Sequence, residues 1–330
     1  MTSHPTFGEK TEGEEVATTF AKEIKAKTSV GPNGLGAILA RILATHSPAL
    51  LILTGRSPTK VEAVTNDLAT TYPNVKTRIL QLDISSFESI RTAANEVNAY
   101  PEPSIDILVN NAGVMNIPER QLSANGFEMH LASNYLGPFL FTNKIMDKLI
   151  NGGEGGGARI VNVSSNSYTF SPFRFSDYNF EGINVIESEY PSKALCEMYG
   201  IPWGPQYVPT AAYGQSKTAL MLYSLHLSKL LAAKGVTTIS LHPGAIATDL
   251  WRHIPKENTE QFFKILPMKT PSQGISTTLV AALDPKLAGS SGVYLEDCQR
   301  KEVTESGINA SNAEKLWTLS EGLVKENFSF

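Results

Sequence analysis

At 330 residues, 42% of them hydrophobic and 18% charged, the chain can bury one large core and carries no tract biased enough for wholesale disorder. Its formal charge of -4, with Lys and Arg spread along the sequence, lacks the clustered positive field that nucleic acid or an anionic membrane requires, so the expected partner is a small molecule. The two cysteines, Cys196 and Cys298, read as buried thiols in a reducing compartment and not as a secreted disulfide framework.

Residues 1–25 read as an N-terminal extension; the first ten are polar, and nowhere does the chain approach the ~20 apolar residues of a membrane span, so the expected location is cytoplasmic. A glycine turn follows, Gly31-Pro32-Asn33-Gly34-Leu35-Gly36, and then a helical stretch over 37–44. Apolar runs at 49–53, 77–82, 105–109, 159–163 and 236–241 predict strands, while 60–71, 86–100 and 126–150 carry apolar residues at helical spacing. Residues 151–157 form a Gly-rich connection, 166–210 a long insertion rich in Pro and aromatics, 218–233 an amphipathic helix, and 292–295 a short last strand. Strands that read as near-continuous Val, Ile and Leu and alternate with helices imply a parallel sheet covered on both faces. The fold class is therefore α/β, a Rossmann-type doubly wound parallel sheet in a single domain over 26–330, with the insertion lying before the helix that Tyr213 opens.

Tyr213 and Lys217 stand one helical turn apart on one helix face. A phenol titrates near 10 and becomes useful as an acid/base when a cation stabilises its phenolate. The spacing alone describes a solvated helix face equally well. A second such pair, Tyr72 and Lys76, is excluded because Pro73 and Asn74 break any helix there. What gives Tyr213 meaning is its company: Asn110-Asn111-Ala112-Gly113 after the 105–109 strand, Asn134-Tyr135-Leu136-Gly137 in the next helical stretch, Val163-Ser164-Ser165 at the end of the following strand, and His242-Pro243-Gly244 after the next. In an open α/β sheet ligands bind at the carboxyl ends of strands, where these clusters fall.

Over about residues 31–295 the chain resembles the short-chain dehydrogenase/reductase family, especially its retinol-dehydrogenase-like and fungal metabolic members. That resemblance implies Tyr213 as general acid/base and Ser165 as hydrogen-bond partner of the carbonyl or alcohol oxygen. It implies that Lys217 lowers the Tyr213 pKa and holds the nicotinamide ribose, and that Asn134 positions a water in a proton relay. By the same comparison Gly31, Gly34, Leu35 and Gly36 form the phosphate turn, Asp83 and Ile84 bound the adenine, Asn111, Ala112 and Gly113 line the cofactor, and Pro243, Gly244, Ile246 and Thr248 pass over the nicotinamide. The local alternatives are a strand-end cap for Ser165, with Ser164 the residue most easily confused with it, a buried helix residue for Asn134, a turn cap for Asp83, and a helix cap for Thr248 and Asp249. The 49–53 strand ends in Thr54-Gly55-Arg56-Ser57, which offers Arg56 and no carboxylate, favouring NADP(H) over NAD(H).

One departure stands out. Where the family has an apolar first strand, this chain has Lys22-Glu23-Ile24-Lys25-Ala26-Lys27-Thr28-Ser29-Val30, so an eroded strand is expected over 26–30, with cofactor binding weakened or remodelled. Phe173, Phe175, Tyr178 and Trp203 of the insertion either wall an apolar substrate site or pack the insertion to the body. No histidine shows metal-ligand spacing, so no metal is expected. The function that follows is NADPH-dependent interconversion of a carbonyl and an alcohol on an apolar or aromatic small molecule, in secondary metabolism, by a chain that forms homo-oligomers as its relatives do. The alternative is a catalytically compromised dinucleotide-binding or regulatory protein on the same scaffold.

Overall fold

The computed structural model describes residues 2–25, 27–30, 34–152 and 157–330. In chain order its strands are β1 (Lys27–Val30), β2 (Leu50–Gly55), β3 (Thr77–Gln81), β4 (Ile107–Asn110), β5 (Arg159–Val163), β6 (Thr237–His242), β7 (Ala245–Ile246), β8 (Met268–Lys269), β9 (Val293–Glu296) and β10 (Gln299–Arg300). Among the described residues, eight form one sheet in the order β10-β9-β6-β5-β4-β1-β2-β3, while β7 and β8 pair separately. Every pairing in the large sheet is parallel except that of β10 with β9. The order reverses between β1 and β4, and the crevice at their carboxyl ends is where a doubly wound sheet receives its ligand.

Each apolar run of the sequence becomes a strand because its alternate residues enter two cores. Leu50, Ile52, Leu108 and Ile160 face the Phe87–Asn98, Gly137–Lys144, Pro209–Leu230 and Ala310–Val324 helices. Leu51, Leu53, Ile107, Val109, Val161 and Val163 face the Leu35–Ala44, Pro58–Thr71 and Pro271–Leu283 helices. At about 1.5–3 kcal/mol for each large side chain taken out of water, a one-residue register slip would carry each set to the other face.

The N-terminal stretch is built into the second core. Phe7, Val16, Ala17, Phe20 and Ile24 are buried there, the Gly13 amide donates to Ser272 Oγ, and Gln299 Nε2 donates to the His4 and Phe7 carbonyls. Lys22 and Glu23, just before the expected strand, lie exposed in a single helical turn, Ala21–Lys25, that turns Ile24 inward. The strand itself is short, as expected: β1 pairs with β2 over four residues and with β4 through Thr28 and Ser29.

The 126–150 stretch is not one helix. Met129–Leu131 leads into a π-helical turn, Ala132–Leu136, followed by Gly137–Lys144 and Met146–Ile150. Such a turn inserts a residue into the helical ladder and often marks a functional position; here it carries Asn134. Gly137 then passes so close to the loop after β3 that a β-carbon on it would lie 2.0 Å from the Ile84 carbonyl oxygen.

Candidate active site

Two contiguous cavities open along the carboxyl edge of the sheet. The first, about 470 Å³, runs from Arg56 and Lys60 beyond β2, past Asp83 and Ile84, to Asn111, Ala112 and Gly113 beyond β4 and the Gly34 and Leu35 start of a helix. The second, about 790 Å³, is lined by Ser165, Tyr213, Lys217, His242, Pro243, Gly244 and Ile246. Leu35, Asn111, Gly113, Thr248 and Leu250 border both.

The structure brings the four expected catalytic residues to this edge. Ser164 and Ser165 separate cleanly: the Ser164 hydroxyl donates to the Lys217 carbonyl at 2.9 Å, whereas Ser165 lines the second cavity together with Tyr213 and Lys217. Ser165 is also a cap, its Oγ accepting from the Ser167 amide at 3.1 Å, as its local reading has it. Gly214 makes the juxtaposition of turn and helix possible, since a β-carbon there would lie 2.7 Å from the Ser167 carbonyl oxygen. Lys217 Nζ donates to the Val163 carbonyl at 2.8 Å and lies 5.5 Å from the centre of the Tyr213 ring. Asn134 Oδ1 accepts from the Val114 amide at 2.8 Å, and its Nδ2 donates to the Val114 carbonyl and to Ser216 Oγ, each at 2.9 Å. Its amide thus ties the loop after β4 to the Pro209–Leu230 helix.

The electrostatics differ from the sequence expectation. Burial pushes the Tyr213 phenol up to about 12, with the Ser165 side chain pulling the other way, and burial pushes the Lys217 ammonium down from 10.5 to about 7. Desolvation penalises the charged form of each group and, in the chain alone, outweighs the help that Lys217 was expected to give Tyr213. His242, ending β6, is held at about 4 by burial, with Lys269 and Lys217 adding to the effect, so its imidazole is neutral.

The remaining cofactor positions divide. Gly34, Leu35, Arg56, Asp83, Ile84, Asn111, Ala112, Gly113 and Thr248 line the first cavity, and Pro243, Gly244 and Ile246 the second. Asp83 is also the expected turn cap, its Oδ1 accepting from the Ser85 amide and hydroxyl. Thr248 also caps, accepting from the Leu250 amide at 3.4 Å. Gly36 is buried inside the Leu35–Ala44 helix and is not among the residues lining either cavity. Gly31 and most of the Gly-rich connection lie outside the described residues.

Of the two readings of the insertion's aromatics, packing is the one seen. Phe173 is buried in the first core with Phe175 and Tyr178 packed against it, and the Trp203 indole donates to the Pro191 carbonyl at 3.0 Å. None of these four lines the second cavity. Arg174 fastens the insertion from within, fully buried, donating to Asp177 and to the Pro205 carbonyl and lying 4.2 Å from the Phe180 ring centre. The wall is made instead by Phe170, Leu195, Tyr199, Ile201 and Val208, and on the far side by Trp251, Ile254, Phe262 and Leu266. Sequence reasoning missed that second wall because the Lys256–Ile265 helix, with its Glu and Lys residues and no buried position, reads as a surface helix. Lys60 was missed for want of a motif; its place one turn into the helix after Arg56 was the available signal.

The sequence pattern of the short chain dehydrogenase family matches residues 30–179, from the end of β1 through β5 into the insertion. Oxidoreductase fscI of Fusarium equiseti is 38% identical over 244 residues, 72% of this chain and 94% of the relative. Human retinol dehydrogenase 11 is 34% identical over 287 residues, 87% of this chain and 81% of that one. Among solved structures, an uncharacterised protein from Mycobacterium paratuberculosis superposes with a TM-score of 0.61 at 24% identity, covering 92% of this chain and 95% of that one. With the doubly wound order, Tyr213 and Ser165 in the wall of one cavity and relatives matched over most of their length, the chain belongs to the short-chain dehydrogenase/reductase family of oxidoreductases.

Proposed function

We propose that this protein interconverts a carbonyl and an alcohol on an apolar or aromatic small molecule, using NADP(H) in preference to NAD(H). The observation that carries the reading is that Ser165, Tyr213 and Lys217 line one cavity, which shares wall residues with the first.

The dinucleotide fits the first cavity by the chemistry of its lining. Arg56 and Lys60 stand beyond β2 with no carboxylate at that strand's end, matching a 2′-phosphate. The N-terminus of the Leu35–Ala44 helix lies at the cavity's edge, suited to the pyrophosphate. When bound, the cofactor supplies or accepts the hydride. The protein's part is orientation and the proton. The Ser165 hydroxyl and the Tyr213 phenol both meet the substrate oxygen, and Tyr213 gives that oxygen its proton on reduction and takes it back on oxidation. Lys217, one turn further along the same helix, stabilises the phenolate formed in the first direction. Asn134 holds the loop after β4 against the helix so that the wall shared by the two cavities keeps its shape. The apolar lining supplied by Phe170, Leu195, Ile201, Val208 and Phe262 suits an apolar substrate and excludes water from the reacting carbon.

Turnover of a panel of aromatic ketones, aldehydes and quinones, followed by NADPH absorbance, tests the proposal. Tyr213→Phe is expected to lower kcat roughly 10²–10⁴-fold, with circular dichroism and NADPH affinity unchanged. Turnover that survives the substitution refutes the assignment, and silence of the folded wild type across the panel supports a binding protein on this scaffold.

A further inference from the structure

Glu128 and His130 are both fully buried, border neither cavity and take no part in the proton transfer described above. Removing an ionisable group from water is costly unless it is paired and hydrogen-bonded, so a carboxylate and an imidazole buried side by side call for an account.

The carboxylate is engaged at both oxygens. Glu128 Oε1 accepts from the His130 amide at 3.0 Å and stands 2.6 Å from His130 Nδ1, while Oε2 accepts from the Leu131 amide at 2.9 Å. Across the ring, the Ile117 amide donates to His130 Nε2 at 3.3 Å. A backbone amide can only donate, so Nε2 carries no hydrogen and the ring hydrogen sits on Nδ1, directed at Glu128. Carboxylate, imidazole and amide form one chain of hydrogen bonds that ends in the loop after β4, whose Met115, Asn116 and Pro118 line the larger cavity. The insertion is tied to the same point: Asn179 Oδ1 accepts from the Glu128 amide at 2.6 Å, and the Tyr207 hydroxyl donates to the Ile117 carbonyl at 2.8 Å.

The imidazole also reaches the proton donor. The His130 and Tyr213 rings have centroids 6.2 Å apart and planes at 66°, the edge-to-face arrangement that aromatic pairs favour. His130 lies in the short Met129–Leu131 helix that runs directly into the π-helical turn carrying Asn134. Fixing one imidazole therefore bears on the Tyr213 ring, on a wall of the substrate cavity and on the entry to that turn.

We propose that Glu128 and His130 are positioning residues for proton transfer: Glu128 sets the tautomer and orientation of the imidazole, and the imidazole sets the orientation of the Tyr213 ring. This rests on the oxidoreductase reading for the role of Tyr213. The effect is geometric, since the tilt of the ring decides where the phenolic oxygen points, and a displacement of about 1 Å at a reacting group can cost on the order of 10²-fold in rate.

Two substitutions in the full chain test it, Glu128→Gln, which keeps the side chain's shape, and His130→Phe, which keeps a ring beside Tyr213 but loses both nitrogen contacts. The first readout needs no turnover. Histidine nitrogen NMR of the wild type is expected to show His130 protonated at Nδ1 and bare at Nε2, and the Tyr213 ring signal, assigned by its loss in Tyr213→Phe, is expected to shift in both variants. The second readout is NADPH-dependent reduction of 9,10-phenanthrenequinone, in which each variant is expected to lower kcat roughly 10-fold to 10²-fold while KM and the Kd for NADPH stay within about twofold. In a Tyr213→Phe background His130→Phe is expected to lower the residual rate by less than about twofold, because residues that act as a unit are not additive. A hydrogen on Nε2, an unmoved Tyr213 signal, folded variants with wild-type kcat, or a loss undiminished in the Tyr213→Phe background each overturns the proposal. A wild type inert toward the quinone and toward the ketones and aldehydes, whose Tyr213 signal moves as expected, upholds the hold of this pair on Tyr213 and sinks the oxidoreductase reading instead.

Discussion

Replacing Lys217 by Met removes an ammonium that the fold holds at a cost. The group titrates at 10.5 when free and at about 7 in the buried site, which at ~1.4 kcal/mol per pH unit amounts to roughly 5 kcal/mol. The sign follows from proton counts. Between pH 7 and 10.5 the unfolded chain keeps the proton and the native one sheds it, so this group makes the protein more stable as pH rises through that window. Below pH 7 the whole penalty is present. Met fills much the same volume without the charge, but it leaves the Val163 carbonyl without the 2.8 Å donor that Lys217 supplies, worth about 1–3 kcal/mol. Lys217→Met is therefore expected to be more stable than wild type by about 2–4 kcal/mol at pH 6 while losing turnover. Urea unfolding without nucleotide from pH 6 to pH 9 reads the difference, which should narrow by roughly 2–3 kcal/mol between pH 7 and 9. Parallel stability curves, or a variant less stable throughout, would show that the ammonium is well paired and that the site is not destabilised for function.

Other substitutions separate neighbouring roles. Ser165→Ala is expected to lower kcat about 10²-fold or more, whereas Ser164→Ala loses one hydrogen bond to the Lys217 carbonyl, costs about 1 kcal/mol in urea unfolding and leaves turnover in place; the reverse pattern would exchange their assignments. Arg56→Ala should raise the Kd for NADPH about tenfold to a hundredfold and barely change that for NADH, with Lys60→Ala acting in the same direction. Equal effects on the two nucleotides would count against a 2′-phosphate at that end of the cavity. Gly137→Ala drives a methyl to within 2.0 Å of the Ile84 carbonyl oxygen and is expected to cost about 3 kcal/mol in urea unfolding, with NADPH affinity falling as well because Ile84 lines the first cavity.

Much of this could be read along the chain because it depends on local periodicity. The 49–53 and 159–163 runs became β2 and β5 with both faces buried, and the ordered motifs around Asn111, Asn134, Ser165 and Tyr213 came to one sheet edge because strand ends in a parallel sheet all point the same way. The Lys22 and Glu23 charges were legible as unfit for a buried strand but not as a helical turn, because apolar pattern cannot specify a single turn in which one residue, Ile24, faces inward. The aromatics of the insertion were legible as a cluster but not in their direction: composition marks Phe173 and Tyr178 as residues that need burial, and either the body of the protein or a ligand could provide it.

What the sequence by itself determined is the family, the sheet and the identity of the residues at its carboxyl edge, since spacing along strands and helices sets which side chains share a face. Only the tertiary structure decided which of two adjacent serines meets Tyr213, which wall closes the substrate cavity, and that burial works against the charge on both Tyr213 and Lys217. Those outcomes depend on how far each group is removed from water and on what approaches it from segments distant in the chain, neither of which is encoded in local pattern.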